Sequence, residues 1–280
     1  MTGEQAGWFD ANRRMWDERV GIHVASDFYD VEGFKAGKPA VEPFEIDELG
    51  PLGGLRLAHL QCHFGLDTLD LVRMHPGLEA VGLDFSQPAI DAATRLAAEL
   101  DLGKRATFVQ ADVRDAAETL GAGGFDVVYT GKGALIWLPD LEPWAAECSK
   151  LVKPGGWLYL CEYHPIAWCF DQSSPTVRYD YFGTEPYVGE TPGTYADRSA
   201  QTVNNLSYEW CHPLSKVVEA VIGAGFELRF LHEWDFCHSS IGDWMVKGDD
   251  GRYRWPAPGR LPLMYSLKAR RKDSPTPGTP

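Results

Sequence analysis

Residues 57–71, "LAHLQCHFGLDTLDL", put several polar side chains and one glycine between an apolar strand and a helix. A nucleotide-type cofactor loop sits at such a junction, because glycine lets the backbone approach a ligand closely and reach φ > 0. Here Gln61 and His63 stand where glycines are expected, and only Gly65 remains. The alternative is an ordinary strand-to-helix turn. Further along, Asp84, Asp112 and His164 fall at or just beyond the ends of strand-like runs. Histidine is suited to proton transfer because its ordinary pKa lies near neutrality. His164 follows a strand directly; His212, His232 and His23 are further candidates. There is no G-x-S-x-G elbow, no H-E-x-x-H and no G-x-x-x-x-G-K-[ST], so no triad or phosphate loop is expected. Cys62, Cys148, Cys161, Cys169, Cys211 and Cys237 form no C-x-x-C pair. They read as the reduced thiols of a cytoplasmic protein, and Cys161 with His164 alone makes no zinc site. No metal is expected.

The elements that must carry these residues alternate. Residues 55–60 read as a strand, 66–74 as a helix, and 79–85 as a second strand. Pro88 opens a helix, where its missing N–H costs little, with Ser86 suited to the cap. Residues 107–113 and 125–130 read as strands three and four, 141–152 as a helix, and 157–163 as strand five. Lys153, Pro154, Gly155 and Gly156 form a stop-and-turn signal between the last two. Strands separated by helices imply parallel pairing with right-handed crossovers, and ligands then bind at the carboxyl ends of the strands. A helix at 214–224 and strands at 226–234 and 261–269 follow, with the final strand antiparallel. The expected fold is therefore α/β, a doubly wound, mostly parallel seven-stranded sheet.

Residues 1–50 read as an N-terminal helical arm or cap carrying Trp8, Phe9, Trp16, Val20, Phe28, Tyr29 and Phe34. The main domain is expected over 51–271. Residues 165–211 form an aromatic-rich insertion, read as a lid over the strand ends, since so long a loop in a compact domain is usually functional. The tail 272–280, "KDSPTPGTP", is too poor in apolar residues to pack. The chain has 280 residues, 44 % hydrophobic, and a formal net charge of −14. Such acidity argues against nucleic acid as a partner. Lys268, Arg270, Arg271 and Lys272 read as a solvated strand end. No stretch approaches the roughly 20 apolar residues of a membrane span, and the N-terminus carries no signal-peptide pattern.

Strand, loop, helix, a strand ending in Asp84, a strand ending before Asp112, then "FDVVYT" and "LVKPGG": over about residues 55–163 this order resembles the class I S-adenosylmethionine (SAM)-dependent methyltransferases. The arm "SDFYDVEGFKAGKP" and the loop "LQCHFGLDTL" resemble a bacterial subgroup of small-molecule type. In that resemblance His59 falls where the fold commonly has an acid, Gln61 and His63 fall on the first two loop glycines, and Gly65 on the third. The resemblance implies SAM as cofactor, contacted by Gln61, Cys62, His63 and Gly65. Asp84 would accept both ribose hydroxyls, with Phe85 beside the adenine. Asp112 would accept from the adenine amine, with Ala111 and Val113 flanking the ring. The Thr130 and Gly131 carbonyls would face the ammonium, and Tyr29 with Phe28 would cover the cofactor. Lys132 is unusual beside a sulfonium; it points to solvent or to an acidic substrate group.

Methyl transfer from SAM needs alignment and exclusion of water more than a triad, because the sulfonium already activates the methyl. A base is needed only for hydroxyl, amine or carbon acids, with His164 the first candidate. Trp137, Trp168 and His212 are candidates for the acceptor pocket, whose aromatic content suggests an apolar organic molecule. The expected function is methylation of a small organic acceptor by in-line displacement. A homodimer is compatible with the sequence. Two rivals remain at this point: a protein that binds SAM or S-adenosylhomocysteine without transfer, and a nicotinamide-dependent dehydrogenase, whose pyrophosphate loop "QCHFGL" fits poorly.

Overall fold

A computed structural model describes residues 3–272. The expected tail thus lies almost wholly outside the described residues. Three helices come first: α1 (Gly3–Ala25), α2 (Val31–Lys35) and α3 (Pro43–Leu49). The alternating part then runs β1 (Arg56–Leu60), α4 (Leu66–Met74), β2 (Glu79–Asp84), α5 (Gln87–Glu99), β3 (Ala106–Gln110), α6 (Ala116–Leu120), β4 (Phe125–Gly131), α7 (Glu142–Leu151) and β5 (Val152–Tyr163). A short antiparallel pair, β6 (Tyr187–Gly189) and β7 (Ser207–Glu209), lies within the following segment. The chain closes with α8 (Leu214–Gly223), β8 (Phe226–Trp234), β9 (Phe236–Cys237), β10 (Val246–Lys247), β11 (Tyr253–Arg254) and β12 (Met264–Arg271).

The main sheet has the order β3-β2-β1-β4-β5-β12-β8. β1 to β5 pair in parallel, and β12 runs antiparallel to both β5 and β8. The order reverses beside β1, between β2 and β4, which is where open α/β sheets form a ligand crevice. The expected seven-stranded sheet with an antiparallel last strand is what the chain forms. Two local readings need correction. The Lys153–Gly156 turn signal does not end before the strand. These residues open β5 as a bulge, Phe125 pairing with Val152 and Val127 already with Trp157. The segment between β8 and β12 contains a separate three-stranded sheet, β10-β11-β9, that two-residue strands do not announce in sequence.

Both faces of the sheet are covered. On one side Trp144 of α7 is fully buried with Leu158, Leu160 and Val221. On the other, Tyr129 and Tyr159 stack with centroids 5.8 Å apart, and their hydroxyls donate to carboxylates of α3. Tyr129 bonds Glu45 at 2.8 Å and Tyr159 bonds Glu48 at 2.7 Å. Lys268 is not a solvated strand end: its ammonium donates to the carbonyls of Glu48 and Leu49, at 2.9 and 3.1 Å, and so caps the carboxyl end of α3. The arm is thereby fixed to the sheet at the crevice.

The segment 165–211 is held by α1. Asn12 exchanges two 2.8 Å hydrogen bonds with the Tyr208 backbone, and Glu18 accepts from the Val203 and Asn204 N–H groups. The buried Arg19 guanidinium donates to the carbonyls of Thr191, Gly193 and Asn204.

Candidate functional site

The loop after β1 is built against local preference. Gln61 and His63 take left-handed conformations, φ 56° and 50°, as does Gly65 at 79°. Non-glycine residues pay strain there, and such strain collects at functional sites. At Gly65 a Cβ would lie 2.5 Å from the Phe108 ring, so this glycine alone is required by space as well as by φ. Each non-glycine instead places its side chain in a definite contact. Gln61 donates its amide to the Ala134 carbonyl at 2.9 Å, which leaves its own carbonyl oxygen buried and without a partner. His63 Nε2 meets His23 Nδ1 at 2.9 Å.

Asp84 closes β2 and is nearly buried. One carboxylate oxygen accepts from the His63 N–H at 2.8 Å and the other from the Ser86 N–H at 2.9 Å. Each oxygen keeps a lone pair. Burial pushes this carboxyl up to about 6, against the pull of the Ser86, His63 and Phe85 N–H groups. Ser86 caps α5, as the sequence suggests. Asp112 also serves its own backbone, accepting from the Arg114 N–H and forming an ion pair with the Arg114 guanidinium.

After β4, the buried Glu162 gathers the turn by accepting from the N–H groups of Gly133, Ala134 and Leu135, at 2.6, 2.6 and 3.0 Å. That fixes Trp137 against Trp16 of α1, centroids 5.3 Å apart. Lys132, at φ 63°, borders the cavity, and its ammonium is engaged by carboxylates of the protein itself. Its ammonium lies 3.0 Å from both Glu45 of α3 and Asp67 of α4. Burial opposes its charge, but the two carboxylates outweigh that and raise its pKa. His59, where the resemblance expects an acid, is a buried imidazole bonded to Thr68 at 2.7 Å, and burial lowers it to about 4.

These parts enclose one cavity of about 710 Å³. This lies in the upper half of the range of about 300–1,000 Å³ for organic-ligand pockets. Its lining brings together Gln61, Cys62, His63, Gly65, Asp84, Phe85, Asp112, Val113, Gly131 and Tyr29, with Trp137 and Trp168. Three expected residues lie elsewhere. Thr130 is fully buried in β4 and does not line the cavity. His212 donates to the Leu138 carbonyl at 2.7 Å, turned away beside a minor cleft. His164 accepts from the Ile166 N–H through Nδ1, its buried Nε2 lies 3.0 Å from Glu233 without a hydrogen bond, and the ring does not line the cavity. His232 likewise pairs with Glu48 rather than with the site.

Residues that sequence reading leaves out complete the walls: Trp16 and Arg19 from α1, and Thr194 and Tyr195 from segment 165–211. A signal was available. Asn12, Trp16, Arg19 and His23 recur at helical spacing and share one face of α1. That face is polar and aromatic, so a search for apolar periodicity passes it over. Tyr29 and Tyr195 join hydroxyl to hydroxyl across the mouth. All six cysteines are free thiols. Among the described residues no cluster of histidine, cysteine and acid groups is arranged to hold a metal, and no helix is long and apolar enough to cross a membrane.

Comparison with known proteins agrees with this geometry. A family model described as a methyltransferase domain matches residues 58–158. The nocamycin O-methyltransferase of Saccharothrix syringae is 32 % identical over 229 residues, 78 % of this chain and 74 % of that protein. A ubiquinone biosynthesis O-methyltransferase of Mesorhizobium japonicum is 33 % identical over 112 residues, which span 39 % of this chain and 41 % of its own. Among solved structures, an S-adenosylmethionine-dependent methyltransferase from Mesorhizobium loti superposes with a TM-score of 0.59 at 21 % identity, over 82 % of this chain and 96 % of the other. The geranyl diphosphate C-methyltransferase of Streptomyces coelicolor, solved with S-adenosyl-L-homocysteine, reaches 0.59 at 14 % identity, over 94 % and 98 %.

Proposed function

The chain belongs to the class I SAM-dependent methyltransferases, and from that premise we propose that it methylates a hydroxyl group of a small, mainly apolar organic molecule. The observation that carries the reading is a single cavity that joins the loop after β1 and Asp84 to the aromatic wall of Trp16, Trp137 and Tyr195. One end suits a nucleoside and the other a flat organic acceptor. The O-methyltransferase relatives support oxygen as the receiving atom. A dehydrogenase is set aside by the family, and "QCHFGL" has no pyrophosphate to wrap.

The residues present fit the cofactor. The Asp84 carboxylate, with one lone pair free on each oxygen, suits a ribose diol. The orphaned Gln61 carbonyl oxygen is a buried acceptor of the kind an ammonium satisfies. Asp112 and Phe85 border the same cavity beside Asp84 and suit the base. When bound, SAM supplies an electrophilic methyl on a charged sulfur. The protein then has to hold the acceptor in line and keep water out, which the closed arm of α1 and segment 165–211 serve.

Incubation with SAM carrying a deuterated methyl and a panel of small hydroxylated aromatic and aliphatic compounds tests the reading by mass spectrometry. A labelled methyl ether is the expected product; labelled product only from amine, thiol or carbon acceptors sinks it. The ionisation of Asp84 adds a pH test. Only the carboxylate can serve both diol hydroxyls, so S-adenosylhomocysteine affinity is expected to be level above pH 7 and to fall about tenfold per unit well below about 6. The sign is separable from unfolding. A carboxyl raised from 3.8 to about 6 makes the ligand-free fold more stable, not less, as pH falls through that window. Calorimetric titrations from pH 8 to 5 check it, and a level affinity across that range would remove Asp84 from the binding account.

A further inference from the structure

Two imidazoles and a hydroxyl from three separate elements form a chain at the edge of the cavity. His63 Nε2 lies 2.9 Å from His23 Nδ1, and His23 Nε2 lies 2.9 Å from the Thr194 hydroxyl. The hydroxyl oxygen also accepts from the Ala196 N–H at 2.9 Å and, at the longer distance of 3.4 Å, from the Asp197 N–H, which anchors the far end. His23 is fully buried in α1 and Thr194 nearly so. His63 and Thr194 both border the cavity, and His23 bridges them from inside α1. The His63 Nδ1 makes no hydrogen bond among the described residues, and the residue itself lines the cavity. The ring stands edge-on to Trp16, centroids 5.2 Å apart, and Trp16 in turn packs on Trp137. The imidazole therefore sits where the cofactor loop meets the acceptor wall. It does so from a left-handed backbone position that glycine would occupy without strain. A strained position kept for a side chain calls for a reason in the site itself.

We propose that His63 is the proton acceptor for the methylated hydroxyl, held in the required tautomer by His23 and Thr194 acting as positioning residues. The proposal rests on the hydroxyl reading of the acceptor given above. In the resting relay His23 donates its Nε2–H to the Thr194 oxygen and His63 donates its Nε2–H to His23 Nδ1. That leaves the His63 Nδ1 lone pair facing the cavity. The three-part logic is that of a base oriented by a second group, which a third group orients in turn. As the oxygen lone pair forms the new O–CH₃ bond, the O–H bond breaks and its proton goes to His63 Nδ1. The positive charge that the sulfonium carried into the site remains as one imidazolium. His63 can pass its Nε2 proton to His23 Nδ1, so the charge is shared over two rings. Charge and protons balance with no further reactant. Burial lowers both histidines, which keeps the pair neutral before transfer, and sharing the proton over two rings offsets the cost of charging either one.

Two measurements test this. The first needs no acceptor: nitrogen-15 spectra of the imidazoles in the full chain saturated with S-adenosylhomocysteine, assigned with His63→Asn and His23→Asn. A bare Nδ1 and protonated Nε2 on His63 are expected; a protonated Nδ1 overturns the proposal whatever compounds are turned over. The second compares 1-naphthol with 4-nitro-1-naphthol, whose hydroxyl is already ionised near neutral pH. His63→Asn is expected to lower kcat for 1-naphthol by about 10²-fold or more, and the ratio of the two substrates' kcat values at least tenfold, with KM little moved. Thr194→Val should shift that ratio in the same direction and Thr194→Ser should restore it. Equal losses on both naphthols would mean a packing role and overturn the assignment. Should the unaltered protein methylate neither naphthol, the spectra alone decide. Failure to bind S-adenosylhomocysteine is the separate result that would overturn the functional reading beneath it.

Discussion

Asp84→Ala is expected to weaken S-adenosylhomocysteine binding by about 10²–10⁴-fold at pH 8. Hydrogen bonds to a charged group are worth about 1.5–3 kcal/mol each, and a diol makes two. Every 1.4 kcal/mol is a factor of ten. The loss has a second source, because Asp84 also accepts from the His63 and Ser86 N–H groups and so shapes the loop that would receive the rest of the ligand. Stability should move much less than affinity. The substitution removes two hydrogen bonds but also removes a buried charge whose raised pKa records the cost of holding it there. Asp84→Asn is no milder a test: its NH₂ would face a backbone N–H whichever way the amide turned. Calorimetric titration of both variants, alongside a denaturant melt of each, separates the two effects. An affinity within threefold of the unaltered protein, in a variant that melts normally, would remove Asp84 from the binding account.

The parts of this design that were readable in the sequence are those governed by short-range periodicity. Helix α4 and strand β8 fall at the residues the pattern marks, because their apolar spacing and their glycine or polar stops agree with the tertiary fold. Asp84 was readable because a strand end in an α/β sheet has only a few positions that face the crevice. What was not readable depends on which distant element arrives. The pairing of Lys132 with Glu45 was not among the directions the sequence offered, since Glu45 comes from an arm 87 positions away and nothing local signals their meeting. His164 looked suitable because it follows β5, but the Ile166 N–H and the Glu233 carboxylate reach it first. Conversely, His23 read only as one of several candidate bases and His63 only as a loop residue in a glycine position, with nothing to join them. Their value comes from a contact across three elements, and from a backbone conformation that the letter H at a glycine position does not disclose.

The largest stability effect is expected from Lys132→Met. In the native protein the ammonium holds two carboxylates, Glu45 and Asp67, while Tyr129 donates to the first and Ala40 accepts from the lysine at 3.3 Å. Methionine fills much of the same space but leaves Glu45 fully buried without its cation. Breaking a buried ion pair from one side costs about 3–5 kcal/mol, more than the pair contributes against an apolar replacement of both partners. Burial already raises Glu45 above its ordinary 4.5, with the Asp67 charge adding to it and Lys132 opposing. Removing the lysine removes the opposing influence. The folded variant then takes up a proton that the unfolded chain, with its ordinary carboxyl, does not. Its deficit should therefore shrink as pH falls from 8 toward 5 and grow again on return. Urea melts at those two pH values measure it. Adding Glu45→Gln to Lys132→Met should recover part of the loss at pH 8, where the lone charge is worst, and little at pH 5. A deficit that is small, or the same at both pH values, would show that the triad does not hold the arm. Since α3 meets the sheet through Glu45 and Glu48, and Lys132 follows directly on Gly131 in the cavity wall, loosening this contact should also weaken S-adenosylhomocysteine binding. The triad thus couples arm docking to cofactor affinity through one buried cation.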